Sequence, residues 1–263
     1  MLHTTAEPCE TVVETLNPEG RGPVVILCEH ASNFIPERYH GLGLTAEARI
    51  SHAAWDPGAL AMSKILSKAL DAPLVTSTVS RLVYDSNRPP EADSAMPSKS
   101  ELIDVPGNVN LSAEARAERT QTVYVPFCAE VDAVLARRVA QDIPTAVITM
   151  HTFTPIYHGA MRDVEIGVLH DDDSAFADAM LYQAPSLGER VVRRNEPYGP
   201  ADGVTHSLKL HGQSRGLPNV MIEVRNDLAT NPEDEAKMAQ ELLTLIGPAL
   251  VHLGLIQLGR SHT

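Results

Sequence analysis

Three observations predict an α/β fold, one sheet with helices packed on both faces. Short apolar runs rich in β-branched residues occupy residues 23–28 (PVVILC), 145–150 (TAVITM) and 219–222 (NVMI), and none alternates with polar residues, which is the pattern of a strand buried on both faces. Apolar residues at helical spacing fill much of the chain between them. Each run also stops abruptly: Glu29, His30, Ser32 and Asn33 follow the first, His151 and Thr152 the second, and Glu223, Arg225 and Asp227 the third. Ligands of open α/β sheets bind beyond the carboxyl ends of the strands, so these positions define the candidate site.

Taken in order, residues 1–22 are polar, close on Glu19, Gly20, Arg21 and Gly22, and read as a flexible lead-in. Residues 45–53 predict a short helix. Asp56, Pro57 and Gly58 open a longer one, with Asp56 as cap, Pro57 at the first position and Met62, Ile65, Leu66, Ala69 and Leu70 on the apolar face. A strand over 74–79 runs into Arg81 and the polar string Tyr84 to Pro90, and residues 91–110 carry no strong period, as in a functional loop. One long helix or two follow over 112–141, with Pro126 as a kink or break. A strand over 164–169 precedes a helix over 174–183, whose leading aspartates Asp171 to Asp173 complement its dipole rather than bind metal. A short strand over 190–194 and a helix capped by Asn231 complete the set. There is no internal repeat and no glycine-rich phosphate loop.

The 263 residues suit one α/β domain, expected over 23–263, and 43% hydrophobic residues supply its core from aliphatic side chains, since aromatics make up only 4%. A formal net charge of -13, with no basic stripe, argues against a nucleic-acid partner. Cys9, Cys28 and Cys128 lack CxxC spacing, which argues against a disulfide framework or a thiolate zinc site. No run of 18 apolar residues and no signal-peptide pattern occurs, so no membrane partner and a cytoplasmic location are expected. The oligomeric state has no signature in the sequence.

Two histidines and a carboxylate at strand ends are the ingredients of a metal site with a general base beside it. His30 and His151 are the expected ligands. Asp56, Glu29 and Asn33 compete for the third place, and Asp56 is preferred by a narrow margin. Zn²⁺ or another divalent metal suits imidazole and carboxylate donors. Glu223, directly after an apolar strand, faces desolvation that raises a carboxyl pKa and fits a general base. His206 and His211 flank a glycine-bearing loop and are candidate oxyanion donors. Arg81, Asn87 and Arg88 form a candidate carboxylate clamp for an anionic small-molecule substrate, because a guanidinium fork grips a carboxylate with two parallel hydrogen bonds. Arg215 is a further arginine to consider for the same carboxylate.

The segments CEHASNFIP, AAWDPGA, SRLVYDSNRPP, ITMHTFTP and GLPNVMIEVRNDL, in that order over roughly residues 24–230, resemble the N-formylglutamate amidohydrolase family, which is similar in architecture to zinc carboxypeptidases and aspartoacylases. The resemblance implies a single three-layer domain of hydrolase type, a mixed sheet between helices. It implies a divalent metal, hydrolysis of N-formylglutamate to glutamate and formate or release of another small acyl group from an acidic amino acid, and a place in histidine degradation. Carried over by position, it makes His30 and His151 ligands, Glu223 the general base, and Asn87 with Arg88 the clamp. Carboxypeptidase-like enzymes place a glutamate three residues after the first histidine, where this chain has Asn33. A carboxypeptidase-like peptidase and a metal-free carboxylate-binding protein are the rival readings.

Overall fold

Val24, Ile26 and Cys28 point to one side of their strand and Val25 and Leu27 to the other, and all five are fully buried. Such a strand needs a cover on both faces, and the computed structural model, which describes residues 11–256, supplies it. In chain order the strands are β1 (Val13–Leu16), β2 (Val24–Cys28), β3 (Leu74–Ser77), β4 (Lys99–Ser100), β5 (Ile103–Asp104), β6 (Ala146–Phe153), β7 (Ile156–Tyr157), β8 (Ala160–Met161), β9 (Ile166–Leu169), β10 (Val192–Arg194) and β11 (Asn219–Arg225). Seven of them form one mixed sheet in the order β1-β3-β2-β6-β11-β9-β10, and β4-β5 and β7-β8 are separate two-stranded hairpins. The central neighbours β3, β2, β6 and β11 run parallel, whereas β1 on β3 and β9 on β11 are antiparallel.

The helices are α1 (Ala46–Ile50), α2 (Ala59–Ala69), α3 (Ala113–Arg119), α4 (Val125–Ala140), α5 (Ala175–Gln183) and α6 (Pro232–His252). Met62 and Leu66 of α2, Phe176 and Met180 of α5, and Met238 and Leu242 of α6 pack on the sheet face that carries Ile26, Ile148 and Ile222. Phe127, Val131 and Leu135 of α4 cover Val25, Leu27 and Val147 on the opposite face. The result is the mixed sheet between two helical layers that was expected.

Four differences from the sequence reading have physical causes. Val13–Leu16, within the segment read as a lead-in, pairs with Leu74–Ser77 as an edge strand, and residues 1–10 of that segment, with Cys9, lie outside the described residues. The second and third apolar runs do not stop before their ionisable residues: β6 and β11 pair through to Phe153 and Arg225, so His151 and Glu223 lie inside strands, directly opposite one another in register. Pro126 falls in the first turn of α4, just after a π-helical turn at Thr120–Tyr124 that joins it to α3. A proline has no N–H to lose there, and the wider turn takes up the irregularity that was read as a kink or break. Asp56 is not the cap of α2; Gly58 occupies that place with φ 85°, where a Cβ would lie 2.9 Å from the Ala229 carbonyl oxygen. The Asp56 carboxylate is turned instead toward the histidines. Cys28 and Cys128 are free thiols, and no helix among the described residues is long and apolar enough to cross a membrane.

Candidate metal centre and active site

The parity of the strands sets the site. Val220, Ile222 and Val224 of β11 face the α2/α5/α6 layer, so Glu223 faces the other way, and the same alternation turns His151 away from Ile148 and Met150 in β6. His30 comes from the loop at the end of β2, the neighbour of β6. Asp56, before α2, donates its backbone N–H to the His30 carbonyl at 2.9 Å, which ties the two loops together.

Asp56 Oδ2 lies 3.1 Å from His30 Nδ1 and 2.9 Å from His151 Nδ1, and the two Nδ1 atoms are 3.2 Å apart. All three side chains are buried. Donors bound tetrahedrally to Zn²⁺ at their usual distances stand about 3.3 Å from one another, so the triangle is close to the face of such a shell. The far nitrogens are also provided for: His30 Nε2 is 2.7 Å from Asp85 Oδ1 and His151 Nε2 is 3.3 Å from Glu29 Oε2. Asp85, hydrogen-bonded to His30 Nε2, fixes the tautomer that leaves His30 Nδ1 free as a metal donor, the usual support of a histidine ligand, whereas Glu29 faces His151 Nε2 as a charge partner without a hydrogen bond.

Charge points the same way. Glu29, Asp56, Asp85 and Glu223 are four buried acids, and Arg81 is shared between Asp56 at 3.1 Å and Asp85 at 3.5 Å. Burial opposes protonation of His151, yet Glu29 and Asp56 outweigh it and hold its pKa well above the ordinary value. Burial would raise the Asp85 carboxyl, but His30, Arg88 and Arg81 hold it far below the usual carboxylate range. The cluster takes up positive charge wherever it can, and the donor set fits a dication.

Glu223 behaves in the opposite sense. Burial, assisted by the Asp56 charge and opposed by His151 and Arg81, pushes its pKa up to about 7, and its Oε2 has no hydrogen-bond partner among the described residues. It lines a cavity of about 850 Å³ together with His30, Asp56, Arg81, Arg88 and His151. A carboxyl near its pKa at neutral pH, free on one oxygen, is suited to accept and return a proton.

Asn33 lies elsewhere: its Nδ2 donates to the Arg49 carbonyl at 3.1 Å. Glu29 stands behind His151 rather than beside the donor triangle. Asn87 lines the cavity, but its amide donates to the Val204 carbonyl at 2.6 Å and accepts from the Ser207 N–H at 3.0 Å, so it holds the 204–207 loop. Arg88 also lines the cavity and spends one donor on the Asn87 carbonyl. Arg81, read as a clamp residue, is taken up by Asp56 and Asp85. His206, His211 and Arg215 do not line the cavity: His206 bonds the Tyr124 hydroxyl at 2.8 Å, and Arg215 pairs with Asp132 at 2.6 Å beside His211.

Sequence reasoning missed four residues. Asp85 falls within the polar string after the strand over 74–79 and carries no signal of its own there. His52, 3.7 Å from Asp56 and held neutral by burial with its pKa lowered to about 4, has only its four-residue spacing from Asp56 as a signal. Arg162 and Tyr198 come from hairpin and loop segments without periodicity.

A mixed parallel-centred sheet that presents two histidines, an aspartate and a pKa-raised glutamate to one cavity defines a hydrolase of the α/β type. A family model described as N-formylglutamate amidohydrolase matches residues 22–230, and the chain belongs to that family. A crystal structure of a gene product from Agrobacterium tumefaciens superposes with a TM-score of 0.91 at 51% identity, over 94% of this chain and 97% of that one. A crystal structure of N-formylglutamate amidohydrolase from Ralstonia eutropha JMP134 shares the fold, with a TM-score of 0.66 at 18% identity over 92% of this chain and 99% of that one. No curated protein matches the chain.

Proposed function

We propose that the protein is a metal-dependent amidohydrolase that releases formate, or another small acyl group, from an N-acylated acidic amino acid, with N-formylglutamate as the reference substrate. The observation that carries this reading is the meeting of the His30–Asp56–His151 donor triangle with Glu223 in one arginine-lined cavity. His30, Asp56 and His151 would hold a divalent cation, zinc by its preference for such donors. When bound, the cation supplies a Lewis acid that polarises the scissile carbonyl and acidifies water.

The remaining work falls to the chain's own groups. Asp85 accepts from His30 Nε2–H and keeps Nδ1 as a donor atom. Glu223 takes the proton of the attacking water on its free Oε2 and delivers it to the departing amine nitrogen. Arg88 grips the carboxylate next to the scissile amide and so fixes the carbonyl in place for attack. The deciding assay measures formate released from N-formylglutamate by the purified protein before and after chelation. No release from the metal-loaded protein rejects the reading.

A further inference from the structure

Arg162 is a guanidinium held in a fixed plane with no anion to balance it. It follows the β7-β8 hairpin, is half-buried, and lines the cavity. Its Nη2 donates to the Tyr198 hydroxyl oxygen at 2.9 Å and its Nη1 to the Thr154 carbonyl at 3.3 Å. Its Cζ stands 4.3 Å from the Tyr157 ring centroid, 4.8 Å from that of Tyr198 and 5.4 Å from that of Phe153. None of the ion pairs among the described residues includes it. Arg81, by contrast, is shared by Asp56 and Asp85, and Arg190 by Glu165 and Glu241. A protein that immobilises a guanidinium against three rings and gives it no carboxylate has left that charge for a ligand.

Tyr198 sharpens the point. Its hydroxyl accepts from Arg162, and its own hydrogen has no acceptor among the described residues, so an O–H and further N–H donors are available at the same cavity wall. Burial raises its pKa, which keeps that hydrogen in place at neutral pH. Arg88 reaches the cavity from a separate segment, the turn after β3, and is within electrostatic reach of Asp85 beside His30. The two guanidinia therefore offer two anion sites on one cavity. A dianionic ligand is repelled at long range by a chain of net charge -13, and local, water-poor guanidinium sites offset that repulsion.

We propose that Arg162, supported by the Tyr198 hydroxyl, binds the side-chain carboxylate of an N-acylated dicarboxylic amino acid, while Arg88 binds the carboxylate next to the scissile amide. This rests on the substrate class proposed above and assigns what selects an acidic side chain within it.

The test compares formate release from N-formylglutamate and from N-formylglutamine, its neutral isostere, by wild type and by Arg162→Gln. Calorimetric binding of glutarate and of butyrate is measured in parallel. In Arg162→Gln the preference for formylglutamate over formylglutamine falls by about 10- to 100-fold, mainly through KM, since a hydrogen-bonded charge pair is removed. Glutarate affinity falls by a similar factor relative to butyrate. An unchanged preference, or an unchanged ratio of glutarate to butyrate affinity, overturns the assignment. Should the glutamine variant fail to fold, Arg162→Lys, which keeps the charge but lacks the fork, carries the same comparison with a smaller expected loss. If the wild type releases formate from neither substrate, the amidohydrolase reading fails, and the glutarate and butyrate arms still decide the role of Arg162.

Discussion

Asp85 Oδ1 stands 2.7 Å from His30 Nε2, with both side chains buried, and the same oxygen accepts the Asn87 backbone N–H at 2.9 Å. One carboxylate thus orients a metal-ligand candidate and shapes the turn that carries Arg88. Asp85→Asn retains an oxygen that can accept both hydrogen bonds while removing the charge. Cation affinity is expected to fall about 10- to 100-fold, as for other carboxylates behind ligating histidines. Competition with a chromophoric chelator measures it. An unaltered affinity would leave Asp85 with the turn alone.

The choice of third ligand is open to a direct contrast. Asp56 lies within 3.1 Å of both histidines, whereas Asn33 bonds the Arg49 carbonyl. Asp56→Ala, like His30→Ala and His151→Ala, should purify without bound metal, and Asn33→Ala should keep it. Since Asp56 does not cap α2, helix fraying is no competing cause of that loss. Metal content by elemental analysis, normalised to protein, is the readout. Loss in the Asn33 variant but not the Asp56 variant reverses the assignment.

These contrasts also show where the sequence was readable. His30, His151 and Glu223 could be found because each comes at or near the end of a short, largely apolar run with β-branched residues, the pattern of a buried strand. Asp56 was readable only as one of three, because a D-P-G triplet looks the same whether its carboxylate caps a helix or turns inward. Asp85 could not be assigned: its role exists only because β3 lies beside β2, which brings the turn after one strand against the end of the other. Arg162 directly follows a hairpin whose strands are two residues each, too short for any period to register. The edge strand Val13–Leu16 has no buried residue, a weak signal beside the buried runs.

Glu223→Gln should fold, retain metal and lose about 10²- to 10⁴-fold in turnover, because the amide keeps the shape but cannot take a proton. The raised pKa adds a stability signature in metal-free protein. The folded carboxyl binds its proton more tightly than the unfolded one, so the wild type loses stability as pH rises from 4.5 through about 7. Above that window the cost is on the order of 3 kcal/mol. Glu223→Gln should therefore be more stable than wild type at pH 8 and close to it at pH 4, read from urea midpoints. Equal midpoints at pH 8 would contradict the buried, destabilised carboxylate.

Arg88 reaches the cavity from the turn after β3, and none of the ion pairs among the described residues includes it, so its charge is available to a ligand. One of its donors is fixed on the Asn87 carbonyl at 2.9 Å, which orients the guanidinium. Asn87 in turn is anchored to the 204–207 loop, so the fork is placed by packing rather than by the ligand. Lysine would keep the charge but lose the fork, so Arg88→Lys should weaken the complex and Arg88→Ala should weaken it further. If the contact holds ground state and transition state alike, the loss appears in KM; if it aligns the scissile carbonyl, kcat falls as well. The decisive measurement uses a substrate whose carboxylate next to the scissile amide is converted to a carboxamide. Wild type should lose activity severely on that substrate and Arg88→Ala hardly at all, because the variant has already lost the group that reads the charge. Equal losses in the two proteins would mean that Arg88 does not contact this carboxylate. The anchoring role would then pass to Arg81, the cavity arginine nearest the donor triangle, although its fork is already engaged by Asp56 and Asp85.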